Sequence, residues 1–272
     1  MTLLCNRPRF PLVLGLACVV TACGIDPVAP PATSGTDQSI TGEWIIEPFN
    51  NYKANPLGKP PNQALDGQFG WSRINGDDMS PEVFALQPES NGYRHGNAVG
   101  LRRQINPCTT CNTRSTASKD VIADTTARFQ IFSFQVKVDP DVPATNDVKA
   151  AVILVDDKHA GIVKVNIGGL GFSLCGSSYD DPDCVPFFPN GVGDNGAAFQ
   201  RIWYRIVIYL DQYAYNPTAY AEINVVGDAH LITRTNEVTI DSDPVDSVAL
   251  YDYGRQANGI AFVDYLLGYP KQ

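Results

Sequence analysis

Histidine is scarce in this chain: 272 residues carry three, His95, His159 and His230. They lie in NGYRHGN, DDKHAG and GDAHLIT, which read as turns or strand ends, and none adjoins a tyrosine–lysine constellation. A surface imidazole without a partner is the ordinary reading of each; His95, between Arg94 and Gly96 and two residues from Tyr93, is the best placed of the three. No stretch keeps a 3.6-residue apolar period over three or four turns, which speaks against a helical architecture. There is no internal repeat. Gly168-Gly169-Leu170-Gly171 ends a strand pattern and leads into no helix, so it is not a dinucleotide loop. Positive charge is short as well: Lys and Arg number 20 against 29 Asp and Glu, a net −9. That balance argues against nucleic acid as a partner and against holding anionic lipid by net charge.

What is present at the N-terminus is the apolar run FPLVLGLACVV, preceded by Arg7 and Arg9 and closing on Val20-Thr21-Ala22-Cys23. At about 11 residues it is shorter than the roughly 20 that a spanning helix needs, and it has the basic, apolar and small-residue zones of an export signal. VTAC resembles the lipobox of bacterial lipoproteins, in which the cysteine becomes the lipidated first residue. That resemblance implies lipidation at Cys23, a chain anchored to a bacterial membrane outside the cytoplasm, and membrane contact through the lipid only. Gly24, not Asp, follows Cys23, which by the same resemblance favours the outer membrane. Several lipid chains, at about 0.8 kcal/mol per buried methylene, hold a soluble domain almost irreversibly.

Removing residues 1–22 takes away two arginines and no acid, so the net charge moves from −9 to −11. It also removes Cys5 and Cys18 of the seven cysteines; with Cys23 lipidated, Cys108, Cys111, Cys175 and Cys184 remain. An even number in an oxidising compartment reads as two disulfides. Three connectivities are open, and the local pairing of Cys108 with Cys111 and Cys175 with Cys184 needs the fewest assumptions. The second pair lacks zinc-knuckle spacing, and NPCTTCNTRST is turn-rich where a redox CxxC would start a helix. Residues 24–40, rich in Pro, Ala, Ser and Thr, read as a flexible tether over 23–40, leaving 41–272 as one domain.

That domain alternates. In RFQIFSFQVKVD, Phe132, Phe134, Val136 and Val138 share one face, with Ser133, Gln135 and Lys137 on the other. GIVKVNIG sets Val163, Val165 and Ile167 against Lys164 and Asn166. In FQRIWYRIVIYLD, Ile202, Tyr204, Ile206, Ile208 and Leu210 form the apolar face, opposite Arg201, Trp203, Arg205 and Tyr209. AYAEINVV follows after QYAYNPT, a hairpin-like connection, with Tyr220, Glu222 and Asn224 on its polar face. Many strands with one buried face each predict an all-β, two-sheet antiparallel sandwich.

The opening EWIIEPFNNY…ALDGQFGW, the central FQRIWYRIVIYLD…AYAEINVVG and the closing NGIAFVDYLLG resemble the concanavalin A-like lectin/glucanase superfamily. Glu47, Phe49, Gly70, Trp71, Trp203 and Asp264 occupy comparable places. The resemblance implies a jelly roll whose last strand pairs beside the first. It does not choose a function, since one fold hosts lectins, hydrolases, lyases and adhesion modules.

Sugar recognition wants flat aromatic faces and planar hydrogen-bonding groups. Arg201, Trp203, Arg205 and Tyr209 offer both, and Glu222 and Asn224 extend the set across the hairpin as ligand-binding candidates. Gln135, Lys137, Lys164 and Asn166 join them if their strands share the sheet. Trp203 discriminates: lining an open trough with Arg201, Arg205 and Glu222 it supports a sugar groove, and fully buried beneath a loop it removes that reading. Glycoside hydrolysis needs two carboxylates about 5–10 Å apart, and no E-x-D-x-x-E strand motif occurs. Glu237 and Asp241 are spaced for one strand face but read as a solvated edge. The acidic loops at 139–147, 177–183 and 241–247 hold the oxygen ligands calcium takes, without EF-hand order, so a structural calcium is a candidate and no other cofactor is expected. The preferred function is a lipid-tethered, non-catalytic carbohydrate- or ligand-binding domain on the cell surface or facing the periplasm. A polysaccharide-degrading enzyme, hydrolase or lyase, is the first alternative and an adhesive protein with a protein partner the second.

Overall fold

The computed structural model of the chain describes residues 43–56, 63–74, 79–86, 96–102, 115–121, 127–139, 148–157, 160–169, 171–177, 184–187, 200–212, 214–227, 233–253 and 259–270. The chain divides into two units, Met1–Asp37 and Gln38–Gln272, and all described residues belong to the second. Cys23, the disulfide candidates Cys108 and Cys111, and all three histidines lie outside the described residues.

Regular structure among the described residues is all strand. The strands are β1 Ile45–Glu47, β2 Asn55–Pro56, β3 Glu82–Ala85, β4 Asn97–Arg102, β5 Ser115–Asp120, β6 Phe129–Asp139, β7 Lys149–Val155, β8 Gly161–Gly168, β9 Gly171–Cys175 and β10 Cys184–Phe187. They continue with β11 Trp203–Asp211, β12 Thr218–Val225, β13 Thr233–Arg234, β14 Val238–Thr239, β15 Ser247–Asp252 and β16 Ile260–Pro270. They form two sheets. The larger has ten strands, ordered β13-β12-β11-β6-β16-β4-β3-β2, with β1 on β16 and β14 on β12; the smaller runs β10-β9-β8-β7-β15-β5. Pairing between these strands is antiparallel except between the short strands β2 and β3. The chain passes repeatedly from one sheet to the other, and β16 lies beside β1, as Ile45 opposite Gly268 shows. The protein is a two-sheet antiparallel jelly-roll sandwich.

Alternation explains the core. Phe132, Phe134, Val136 and Val138 of β6 and Tyr204, Ile206, Ile208 and Leu210 of β11 are buried together with Val152, Leu154, Val163, Val165 and Ile167 from the other sheet. Each fully buried side chain of this size is worth about 1.5–3 kcal/mol relative to exposure. β7 breaks the alternation as AAVILV because its outer side is covered too: Ala151, Ile153 and Val155 form a second cluster with Ile74, Tyr251 and Tyr253. A strand buried on both faces reads as a continuous apolar run. Trp44 closes the core at β1, its ring stacked 5.7 Å from Phe132 and its Nε1 donating to Gln130 Oε1 at 3.1 Å. Gly268 makes room for it, since a Cβ there would come 2.5 Å from the indole.

The N-terminal motif assembles into one buried cluster. Phe49 packs on Tyr52 (5.0 Å) and Trp71 (6.2 Å). Glu47 accepts a hydrogen bond from the Tyr52 hydroxyl with one oxygen and pairs with the Lys119 ammonium through the other. Trp71 Nε1 donates to Tyr52 Oη at 3.1 Å. Burial pushes the Tyr52 hydroxyl up to about 12 and lowers the Lys119 ammonium. This network ties β1 of the larger sheet to the edge strand β5 of the smaller.

One strand differs from its sequence pattern. β11 begins at Trp203, and Ile202, expected on the buried face, is 37% exposed. Arg201 has a φ of 65° and donates its backbone N–H to Val138 O at 2.8 Å, so the chain turns there and the alternation starts only after it.

Candidate ligand-binding face

The outer face of the ten-stranded sheet carries most of the sequence-predicted site, because cross-strand partners lie on the same side of a sheet. Asn224 of β12 lies opposite Arg205 of β11, Arg205 opposite Gln135 of β6, and Gln135 opposite Asp264 of β16. Arg205 is exposed, Asn224 and Gln135 are half-buried, and none of the three has a side-chain partner among the described residues. Asp264 is buried and its Oδ1 accepts the Tyr265 N–H at 2.7 Å, at a bulge where Tyr265 has a φ of 52°. The result is a band of guanidinium and amide groups running across three adjacent strands.

On one side of this band is an aromatic cluster. Trp203 is only 3% exposed and packs with Phe84, Ala98 and Phe262, flanked by Leu86, Val226 and Ile260. Lys137 places its Nζ 5.4 Å from the Trp203 ring centroid and 5.6 Å from that of Phe262, a cation–π arrangement. Glu82 and Arg102 pair beside it at 2.9 Å, with the guanidinium 5.0 Å from the Phe84 ring centroid. The expectation of Trp203 as an open platform is therefore corrected. Its side chain does point to the outer face, but that end of the face is packed, and the indole offers no free surface.

On the other side, Tyr209 and Tyr220 stack at 4.6 Å with an interplanar angle of 16°. Tyr209 donates its hydroxyl to Glu222 Oε2 at 3.0 Å, and Arg234 of β13 lies 3.6 Å over the Tyr220 ring. Burial, followed by the Glu222 hydrogen bond and charge, pushes the Tyr209 hydroxyl up to about 12. Both faces of Tyr220 are thus occupied, and Glu222 holds Tyr209 in place. Arg234, invisible as a site residue in the sequence because its strand has only two residues, completes this stack.

Two expected members are elsewhere. Arg201 sits in the turn before β11, exposed, with its Nε 3.1 Å from Asp139 Oδ1, and belongs to no row of the face. Lys164 and Asn166 lie on β8 in the smaller sheet, so the face they were to share with Gln135 and Lys137 does not include them. Asn166 instead donates to Ser173 Oγ at 3.2 Å and to Cys175 Sγ at 3.1 Å. Cys175 and Cys184 form a disulfide between directly opposed positions of β9 and β10, with Cα atoms 4.1 Å apart. Glu237 and Asp241 flank the two-residue edge strand β14 and are exposed.

Among the described residues, metal-ligating groups converge at Asp156, Asp157 and Asp243, whose carboxylate oxygens lie within 4.8 Å of one another. Asp243 belongs to the acidic loop at 241–247, and its neighbours come from the β7–β8 turn, where Asp156 Oδ1 also accepts the Ala160 N–H at 2.7 Å.

No protein-family model and no curated protein matches the chain. Among solved structures, the botulinum neurotoxin type G receptor binding domain is 13% identical, with a TM-score of 0.45, over 75% of this chain and 44% of that one. The GH131 β-glucanase catalytic domain from Podospora anserina is 12% identical, with a TM-score of 0.42, over 71% of this chain and 80% of that one. The binding domain of Paraclostridial Mosquitocidal Protein 1 is 12% identical, with a TM-score of 0.46, over 85% of this chain and 49% of that one. This chain spans under half the length of the neurotoxin and mosquitocidal domains. Likenesses of this degree say nothing of ligand or reaction.

Proposed function

We propose that this protein is a lipid-anchored glycan-binding domain, held at a bacterial outer membrane through Cys23 and a tether over residues 23–40. It binds sugar on the outer face of its ten-stranded sheet without cleaving it. The observation that carries the reading is the band Asn224–Arg205–Gln135, three planar hydrogen-bonding groups in register with no side-chain partner among the described residues. A guanidinium flanked by two amides supplies many N–H donors and two carbonyl acceptors, which suits the alternating donors and acceptors of sugar hydroxyls. The anchoring rests on the basic-apolar-VTAC sequence and the composition of the tether.

The spacing of the two acids beside the band, among the described residues, supports binding without cleavage. Glu222 and Asp264 flank the band three strands apart, from β12 across β11 and β6 to β16. At about 4.8 Å per strand their backbones are about 14 Å apart, whereas the carboxyl groups of glycosidases stand roughly 5–10 Å from each other. Each also has a local task, Glu222 on Tyr209 and Asp264 on the Tyr265 N–H.

The test is retention on a panel of neutral and acidic polysaccharides, with parallel assays for reducing ends and for ultraviolet-absorbing unsaturated ends. The expected result is retention by at least one polysaccharide, loss of it in Arg205→Ala with the thermal transition unchanged, and no product in either assay. Product formation assigns the protein to the degrading enzymes; no retention, together with capture of a defined protein partner, assigns it to adhesion.

A further inference from the structure

We infer that the turn from Leu65 to Trp71 is a second sugar-contact point, with Phe69 as its aromatic platform; this deepens the glycan-binding reading and rests on it. Phe69 is 57% exposed and has a φ of 48°, a left-handed conformation that a bulky side chain adopts only at a conformational cost. Gly67 and Gly70, on either side, take φ of 81° and 86°, so the turn needs this shape and places a phenyl ring where glycine would fit best. A ring this exposed buries little apolar surface, so packing alone does not account for a phenyl group at this position.

The turn is also rigid. Gly67 N donates to Trp71 O (2.9 Å), Trp71 N to Gln68 O (2.9 Å) and Gln68 N to Leu65 O (3.0 Å). The Gln68 amide fastens the turn to its neighbours: its Nε2 donates to Ala64 O at 2.6 Å, and its Oε1 accepts the Lys53 N–H at 2.8 Å. The Phe69 ring is backed by Tyr52, centroid to centroid 4.4 Å, and Tyr52 is itself fixed by Trp71 and Glu47. One face of Phe69 is supported and the ring remains open to solvent. Tyr215 is a useful contrast: at 99% exposed in the β11–β12 hairpin it makes no ring contact among the described residues, and nothing holds it in one orientation.

The size and setting of the platform select the ligand. Apart from Tyr52 behind the ring, its surroundings among the described residues include polar groups: Lys53 is exposed beside it, and Asp66 and Arg73, 3.8 Å apart, flank the turn. A protein partner or a bilayer needs a contiguous apolar area of several side chains. One phenyl face with hydrogen-bonding groups at its rim matches the apolar face and hydroxyls of a single pyranose ring.

The experiment uses the full-length protein and the polysaccharide that retains it best, with Phe69→Gly, Phe69→Trp and Arg205→Ala. Phe69→Gly is expected to raise Kd about tenfold, the upper range for loss of one aromatic contact, while the thermal transition stays equal or rises because glycine suits the turn. Phe69→Trp keeps the affinity. If Phe69→Gly binds as the wild type while Arg205→Ala does not, the assignment of Phe69 falls and the outer-face reading stands. If Phe69→Gly loses binding together with thermal stability, Phe69 belongs to the fold and the assignment also falls. If the wild type is retained by no polysaccharide, both readings fall.

Discussion

Glu47→Ala tests the buried network that joins the two sheets. Glu47 is almost fully buried and its two carboxylate oxygens have separate tasks, one on the Tyr52 hydroxyl and one on the Lys119 ammonium. Removing it strands both partners. Loss of a hydrogen bond to a charged group costs about 1.5–3 kcal/mol, and breaking a fully buried ion pair by removing one partner costs about 3–5 kcal/mol. The Lys119 side chain keeps 22% of its exposure, so solvent recovers part of that second cost. Together these place Glu47→Ala at about 3–4 kcal/mol. Glu47→Gln keeps an acceptor for Tyr52 and loses only the ion pair, so it costs about 1–2 kcal/mol, and Lys119→Met, which leaves a buried carboxylate with Tyr52 alone, about 2–3 kcal/mol. The pair is coupled, so Glu47→Gln combined with Lys119→Met costs less than the sum of the two. Urea unfolding of the four proteins, read by linear extrapolation at constant m, gives the coupling directly. Single costs under about 0.5 kcal/mol, or strict additivity, refute the idea that this network holds β1 to β5.

Further outcomes follow from packing, titration and the sheet face. Gly268→Ala puts a methyl group into the Trp44 indole and is expected to destabilise by about 1–3 kcal/mol, with a changed tryptophan emission; an unchanged urea midpoint refutes the close approach. Tyr52 and Tyr204 are buried, and each has its hydroxyl pushed from 10.0 to about 12. Between those values the folded state holds protons that the unfolded state has released, so stability is full below pH 10 and falls as pH rises to 12. The slope is about 1.4 kcal/mol per pH unit for each tyrosine. A stability profile flat through pH 12, or complete phenolate absorbance near pH 10 in the folded protein, contradicts this. Phe69→Gly is expected to weaken glycan binding without loss of thermal stability, and Arg205→Ala to abolish retention.

The alternation in the sequence reveals most of the sandwich, because burial of one face leaves a period of two in β6, β8, β11 and β12. The place of β16 beside β1 is what the resemblance of the opening and closing stretches implied. What alternation cannot show is which sheet a strand joins: Gln135 and Asn166 stand on equally polar faces, yet β6 and β8 lie in opposite sheets. Nor does it show what covers an outer face. Trp203 and Arg205 share one side of β11, but the first is packed against Phe84 and Phe262, which come from strands more than fifty residues away. The Glu47–Lys119 pair spans 72 residues of sequence and leaves no local signal. Arg201 reads as a strand residue until its left-handed backbone shows that the strand has not begun. Phe69 lies inside the DGQFGW motif, whose Gly70 and Trp71 carry the resemblance, and its setting emerges only once Tyr52 is seen beneath it.

The central claim is that sugar binds along the outer face of the ten-stranded sheet. Titrating a retained polysaccharide, cut to oligosaccharide length, into isotopically labelled protein and following the side-chain N–H resonances of Arg205, Asn224 and Gln135 tests it most directly. The account predicts saturable shifts at all three, with Asn166 of the other sheet unmoved. Shifts confined to Asn166 and its neighbours, or binding that leaves Arg205 untouched, contradict it.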